Sequence, residues 1–293
     1  VLTSETDGRS AAALTEQPAT TLPTAIVIEA GKQESLYWQD IWRYRELLYF
    51  LSWRDILVRY KQTVIGIAWS ILRPLLMMLA LTFAFNKIGH LTSPGVPYAV
   101  FVMAGLLPWQ FFSTALSESS MSLVANANMI SKIYFPRILI PVSAVVVSFV
   151  DAMIGFLIFV CLMAFYHYVP TWRLVTLPLF MLLTFIPSIG LGLWFAALNV
   201  KYRDFRYIVP FIVQFGVYVS PVGYTAATVK NPWIKDFFYA NPIAGIIDGW
   251  RWALVGEPLQ VPSFISAVVV SFILLAFGIW YFRRTERIFA DLI

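Results

Sequence analysis

The residues able to do chemistry are few, and they divide by kind. Cys161 stands alone inside an apolar run and can form no internal disulfide. His90 and His167 lie far apart in sequence and cannot build a metal site by themselves. No Gly-x-x-x-x-Gly-Lys-Ser/Thr stretch is present to cradle ATP phosphates. Neither a His-Glu-x-x-His nor a Gly-x-Ser-x-Gly motif occurs. Asp236, Asp248 and Glu257 supply no Asp-x-Asp pair for metal-dependent glycosyl transfer. What remains is charge in unusual settings. Over residues 52–64, Arg54, Asp55, Arg59, Lys61 and Gln62 share one helical face, and Trp53, Ile56, Leu57, Tyr60 and Val64 share the other. Val58 is the only misfit, and Ser52-x-x-Asp55 has the form of a capping box. Such a helix lies in the membrane interface. It either anchors the chain on the anionic leaflet or gates a pore entrance. Glu118 and Asp151 fall at the end of one apolar run and inside another. A carboxylate in lipid costs several kcal/mol unless paired, protonated or facing a cavity. Asp151 is therefore expected to face a lumen or touch a neighbouring helix; one lone acid is thin support for proton coupling. Asp248 and Arg251 have the i,i+3 spacing of an ion pair.

The elements that must position these residues are set by an excess of apolar side chains. They make up 59% of the chain, with 13% charged and a mean hydropathy of +0.74. A soluble domain holds about 45–50% and about 25% respectively. That excludes an average soluble enzyme, a disordered chain and a collagen-like fibre. The sequence predicts an all-α integral membrane protein with six transmembrane helices, at about 65–86, 98–117, 139–166, 175–200, 207–229 and 263–282. Residues 230–258 are broken by Asn231-Pro232 and Asn241-Pro242 into pieces too short to span, and read as short re-entrant helices. Six spans place both termini on one side. Of 21 basic residues, 16 then fall on that side, which marks it as cytoplasmic. The basic balance thus reports topology and argues against a nucleic-acid role.

Residues 1–35 are polar, lack the apolar core of a signal peptide, and read as a disordered cytoplasmic tail. Between the second and third spans, Lys132 and Arg137 flank Tyr134 and Phe135, and Pro136 stops a short helix. That segment is either a docking knob for a cytoplasmic partner or a connector with headgroup-level aromatics. Aromatic residues are 17% of the chain. Trp109, Trp172 and Trp233 suit interface belts, whereas Phe111, Phe112, Phe156, Phe159, Phe195, Phe211, Phe215 and Tyr218 fall within spans. Most such rings serve as packing or lipid-facing bulk; a subset facing a lumen could stack on sugar rings.

From about residue 44 onward, the chain resembles the membrane subunit of ABC-2 type polysaccharide exporters, the permeases for O-antigen, capsule and teichoic acid. The resemblance rests on Arg54-Asp55, Arg59-Tyr60-Lys61, Gly66, Trp69 and Arg73-Pro74. It continues through Ile130, Lys132, Phe135-Pro136-Arg137, Pro141, Asn199 and Tyr202-Arg203-Asp204. Asn241-Pro242, Phe282, Glu286, Phe289 and Asp291 complete it. The resemblance implies a domain over 36–293 that forms a homodimer and pairs with two copies of a separate ABC ATPase subunit. It implies further that no cofactor or metal belongs to this chain, that Mg-ATP sits on the partner, and that this subunit is not an enzyme. The substrate it implies is an undecaprenyl-diphosphate-linked polysaccharide crossing the bacterial inner membrane. Residues 52–64 match the family's gate helix, whose Arg54, Arg59, Tyr60 and Lys61 would meet the lipid diphosphate. Residues 126–137 match its coupling helix, with Ile130, Lys132, Tyr134, Phe135, Pro136 and Arg137 meeting the ATPase. Asn241, Pro242, Asp248 and Arg251 fall in its outer re-entrant segment. Phe111, Phe112, Phe156, Phe159, Phe211, Phe215 and Tyr218 are candidates to line the channel. An ABC-2 exporter of a small molecule or lipid is the nearest alternative. A membrane glycosyltransferase would want outer catalytic acids in a sizeable loop, and a proton-coupled transporter more buried ionisable groups.

Overall fold

A computed structural model describes residues 37–61, 66–93, 95–225 and 231–289. The predicted tail 1–35, residues 62–65, residues 226–230 and Asp291 lie outside the described residues. All of the described regular structure is helical. Two helices, α1 (Tyr37–Arg43) and α2 (Arg45–Lys61), precede α3 (Gly66–Thr82), which continues through a π-helical turn at Phe83–Ile88. The long helices α4 (Tyr98–Ala125) and α6 (Leu139–Phe165) are joined by the one-turn α5 (Ala127–Ile130). A 3-10 turn at Trp172–Thr176 leads into α7 (Leu177–Lys201), followed by α8 (Phe205–Val219). The short α9 (Pro232–Ala240) and α10 (Pro242–Leu254) come before the last helix, α11 (Val261–Glu286).

Among the described residues five helices, not six, are long and apolar enough to cross a membrane: Ala68–Ile88, Tyr98–Ala125, Leu139–Phe165, Trp172–Lys201 and Val261–Glu286. The predicted span at 207–229 is the one overturned. Helix α8 has 15 residues, about 22 Å of rise against the ~30 Å hydrocarbon core. Pro221 is the physical reason. It drives the residue before it out of helical geometry, and Ser220 is extended at φ −86° and ψ 141°. Beyond it the backbone is irregular but buried, with Val222 fully covered. Irregular backbone is tolerated at such depth only where protein groups satisfy its carbonyls. Here Tyr98 donates to the Gly223 carbonyl, and the Arg251 guanidinium donates to the carbonyls of Val222 (2.5 Å) and Tyr224 (2.7 Å).

Helix α4 is the central post. Of its apolar stretch 89% is buried, against 17% for the α3 stretch and 22% for α11. Its second half is rich in serine, and Ser117, Ser119, Ser120 and Ser122 each donate to a carbonyl one turn back, so no hydroxyl needs water. Asn231 and Asn241 cap α9 and α10, their side chains accepting from the N–H of Trp233 and Ile243, with proline in the next position. Among the described residues two main apolar cores result, beside a third, small cluster of Phe111, Ala115 and Val145. Of the two, the larger surrounds α4, and the smaller gathers Leu51, Ile130, Phe135, Phe282 and Phe289 near the first half of α2 and the end of α11.

Helices α7 and α11 touch backbone to backbone. A Cβ at Gly278 would lie 2.0 Å from the Gly190 carbonyl oxygen, and one at Gly190 would lie 2.6 Å from the Leu275 nitrogen. Small residues permit such crossings. Gly278→Ala is therefore expected to push the helices apart at a cost of about 2 kcal/mol, within the usual range for overpacking. The check is the melting temperature of the detergent-solubilised protein, and an unchanged value would mean the crossing yields freely.

Candidate functional site

Helix α2 is longer than the predicted 52–64 segment and begins seven residues earlier, at Arg45. Ser52 is consequently an interior residue, and its Oγ donates to the Leu48 carbonyl at 2.8 Å instead of capping a terminus. The helix wears its apolar face outward. Tyr49, Phe50, Trp53 and Leu57 are exposed, whereas Arg54, Asp55, Arg59 and Tyr60 turn toward the protein. That orientation suits a helix lying in an interface, lipid on one side and a polar groove on the other.

The polar face ends in an ion cluster. Arg59 pairs with Glu118 of α4 at 2.6 Å and donates a second hydrogen bond to Asp151 of α6. The Tyr60 hydroxyl donates to the other Asp151 oxygen. Burial, and then this hydrogen bond, pushes the Tyr60 phenol up to about 12, so it remains a donor. Asp151 thus makes the inter-helix contact that its depth demanded. Arg54 pairs with the adjacent Asp55 and donates to Asn126 Oδ1 at 3.1 Å. Lys61, at the end of α2, is exposed.

Two hollows meet at this cluster. One of 540 Å³ lies between α3, α4 and α6. Arg59, Arg73, Gln110, Thr114, Glu118 and Asp151 give it a polar side, and Trp69, Pro74, Leu107 and Phe111 give it an apolar one. The second, of 420 Å³, runs along α2 past Arg54 and Asn126. Arg59 and Glu118 line both, so their ion pair stands at the partition. Arg73 is exposed in the larger hollow and makes no ion pair with any described residue. Motif reading placed Arg73 in the chain, but only the fold places it here.

The other predicted positions separate into groups. Phe111, Phe112 and Phe159 are buried, Phe111 edge-on to Phe185 at 4.8 Å, and Phe156 is half-buried beside Phe159. Phe211, Phe215 and Tyr218 form an exposed stripe on α8, the two phenylalanine rings 4.4 Å apart. In the loop after α5, Lys132, Ile133 and Tyr134 project outward, while Ile130, Phe135 and Pro136 are buried beneath them. Arg137 is tied to the end of α11: its N–H donates to Glu286 Oε1 and its guanidinium to the Glu286 carbonyl, both at 2.8 Å. No sequence signal pointed to that contact across 149 residues.

At the opposite end, Asn241 Nδ2 donates to Ser220 Oγ at 3.1 Å, with Pro242 opening α10. The i,i+3 pair expected of Asp248 and Arg251 is not formed. The guanidinium is instead drawn to the carbonyls after α8 and lies 3.9 Å over the Phe101 ring. Asp248 Oδ2 has no hydrogen-bond partner, and burial pushes its carboxyl up to about 6, with Arg251 pulling the other way. Among the described residues no group of three or more His, Cys, Asp and Glu could hold a metal ion.

Comparison with known proteins adds to this geometry. A family described as "ABC-2 type transporter" matches residues 46–255. The O-antigen export system permease protein RfbA of Klebsiella pneumoniae is 29% identical over 252 residues, 85% of this chain and 95% of that protein. Its namesake from Myxococcus xanthus is 28% identical over 255 residues, covering 85% and 96%. The polysialic acid transport protein KpsM of Escherichia coli is 23% identical over 241 residues, 80% of this chain and 91% of that protein.

Proposed function

The chain belongs to the ABC-2 type transporter family, and from that premise we propose that it is the membrane subunit of an exporter for a lipid-linked polysaccharide. Membership makes it a multi-pass transport permease and not a catalytic subunit. The substrate class is supported by relatives whose names include O-antigen export and polysialic acid transport. The observation that carries the reading is the 540 Å³ hollow, with guanidinium groups on one side and apolar walls on the other. An anionic headgroup on a long hydrocarbon needs both. In this reading Arg73 and Arg59 take the diphosphate of a polyprenyl carrier by charge-assisted hydrogen bonds, with Tyr60, Arg54 and Lys61 along the approach.

The hollow has the size of a headgroup site and is too small for a glycan chain. The chain therefore passes between two copies of this subunit, past the exposed aromatic stripe of α8. Lys132, Ile133 and Tyr134 project as a docking tip for a separate ABC ATPase subunit, which binds Mg-ATP and supplies the energy. That tip, the start of α1 and the end of α11 lie on the cytoplasmic side of a bacterial inner membrane, with the shorter α8 and the buried irregular stretch after it returning the chain between the fourth and fifth long helices. The basic residues at that end and the Tyr37–Glu286 hydrogen bond joining the first and last helices support this arrangement. Export of a small lipid without a glycan is the second reading, and the modest volume of the hollow favours it.

Deleting the gene separates the two. Loss of surface glycan with accumulation of undecaprenyl-linked glycan inside the cell is the expected result; intact surface glycan without accumulation would overturn the polysaccharide reading. Arg73→Gln, with normal protein level, is expected to lower export about tenfold, the loss of one charge-assisted bond of ~1.5 kcal/mol. Surface glycan measured after a pulse of label checks it.

A further inference from the structure

Glu286, the last residue of α11, touches neither the hollow nor the exposed tip at 132–134, yet its carboxylate is fully engaged. Oε1 accepts from the Arg137 N–H at 2.8 Å and Oε2 from the Tyr37 hydroxyl at 2.9 Å. Its main-chain carbonyl accepts from the Arg137 guanidinium at 2.8 Å. Arg283 lies over the Tyr37 ring at 4.7 Å. Burial holds the Tyr37 phenol well above its ordinary range, so the hydroxyl stays a donor. One carboxylate thereby ties three parts of the chain: the loop before α6, the end of α11, and α1.

The smaller core lies beside this junction and joins the same parts. Leu51 of α2 is buried in it with Ile130 and Phe135 of the loop and Phe282 of α11. From Leu51 the same helix runs eight residues further as one rod, about 12 Å, to Arg59. Its far end carries Arg59 on the partition between the two hollows, with Tyr60 beside it bonded to Asp151. The rod is held at its start and latched at its end.

The geometry points to Glu286 as the positioning residue that makes the 131–137 loop and the α1–α2 arm move as one body. A displacement of Lys132, Ile133 and Tyr134 is thereby delivered to Arg59 and its hold on Glu118 and Asp151. This rests on the proposed docking of an ATPase at that tip.

The test uses the full complex of this chain with its ATPase subunit in lipid vesicles. Cys161, the free exposed cysteine, is replaced by serine, and Thr114→Cys places a thiol on the wall of the hollow. A membrane-impermeant maleimide reports how ATP changes access to that thiol. The rate is expected to change with ATP in the parent complex. In Glu286→Ala the ATP-dependent change falls at least tenfold while ATP hydrolysis stays within twofold. Tyr37→Phe, which removes one hydroxyl and keeps the ring, reduces it about threefold. If the alanine variant does not assemble, Tyr37→Phe decides. Parent-like labelling together with parent-like hydrolysis overturns the role of Glu286. A parent complex whose labelling ignores ATP overturns instead the proposed function on which the role rests.

Discussion

Replacing Arg251 by methionine is expected to cost about 4 kcal/mol and to lower the melting temperature of the solubilised protein by roughly 10 °C. Methionine keeps much of the volume but leaves two carbonyls, those of Val222 and Tyr224, without donors in a dry site. Each orphaned acceptor costs about 1–3 kcal/mol. The stack on Phe101 is also lost, at about 1–2 kcal/mol where the cation is desolvated. Removing a buried charge returns part of this, so the net lies below the sum. Arg251→Lys is expected to recover less than half, because an ammonium cannot fork to two acceptors as a guanidinium does. Gly105→Ala is expected to act in the same direction, since its Cβ would lie 2.6 Å from the Arg251 Nη2. A methionine variant that melts with the parent would remove Arg251 as the clamp of this segment.

The second large effect is a failure of additivity at the ion cluster. Glu118 is nearly half exposed, its side chain at 48% against 28% and 25% for Arg59 and Asp151. Glu118→Gln alone is expected to cost about 0.5 kcal/mol, as for a solvent-screened pair. Asp151→Asn alone is expected to cost about 1 kcal/mol, because Arg59 falls back on Glu118 and the amide oxygen still accepts from Tyr60. Both changes together remove the two carboxylates that hold Arg59 to α4 and α6, and about 3 kcal/mol is expected, more than the two singles combined. Melting temperatures of the four proteins of this cycle measure the coupling. Simple additivity would show that Arg59 has no need of either carboxylate.

Much of the helical layout was legible because membrane helices announce themselves by length and apolar content. The starts of the stretches at 98 and 139, the Asn-Pro breaks at 231 and 241, and the family itself could be read before any fold. The false sixth span had a readable cause, since Pro221 follows Ser220 in plain sight. Hydropathy ignored it because a buried irregular segment is as apolar as a helix. Ser52 misled in the opposite way. Its motif is a cap only at a terminus, and the packing of Leu47, Leu48 and Leu51 extends the helix past it. The ion cluster was half legible. The cost of burying Asp151 predicted some partner, but nothing local named Arg59, 92 residues away. Arg251 was assigned to Asp248 by spacing, and two carbonyl oxygens won because they converge on one guanidinium. The tie through Glu286 spans 249 residues to Tyr37 and leaves no trace in periodicity.

The burial of α4 has a consequence for how the protein is made. Among the described residues it is the second long apolar helix to leave the ribosome, yet its walls are built largely from the later α6, α7 and α10. At about 5–20 residues per second, the end of α10 follows the end of α4 by roughly 6–26 s. Throughout that interval a helix destined to meet almost no lipid must wait in lipid or beside an insertion factor. Its serines, bonded to their own helix, make that wait tolerable. The shelter of α4 is therefore completed only when α7 and α10 arrive, and a truncation before α7 leaves α4 uncovered and exposed to quality-control proteolysis.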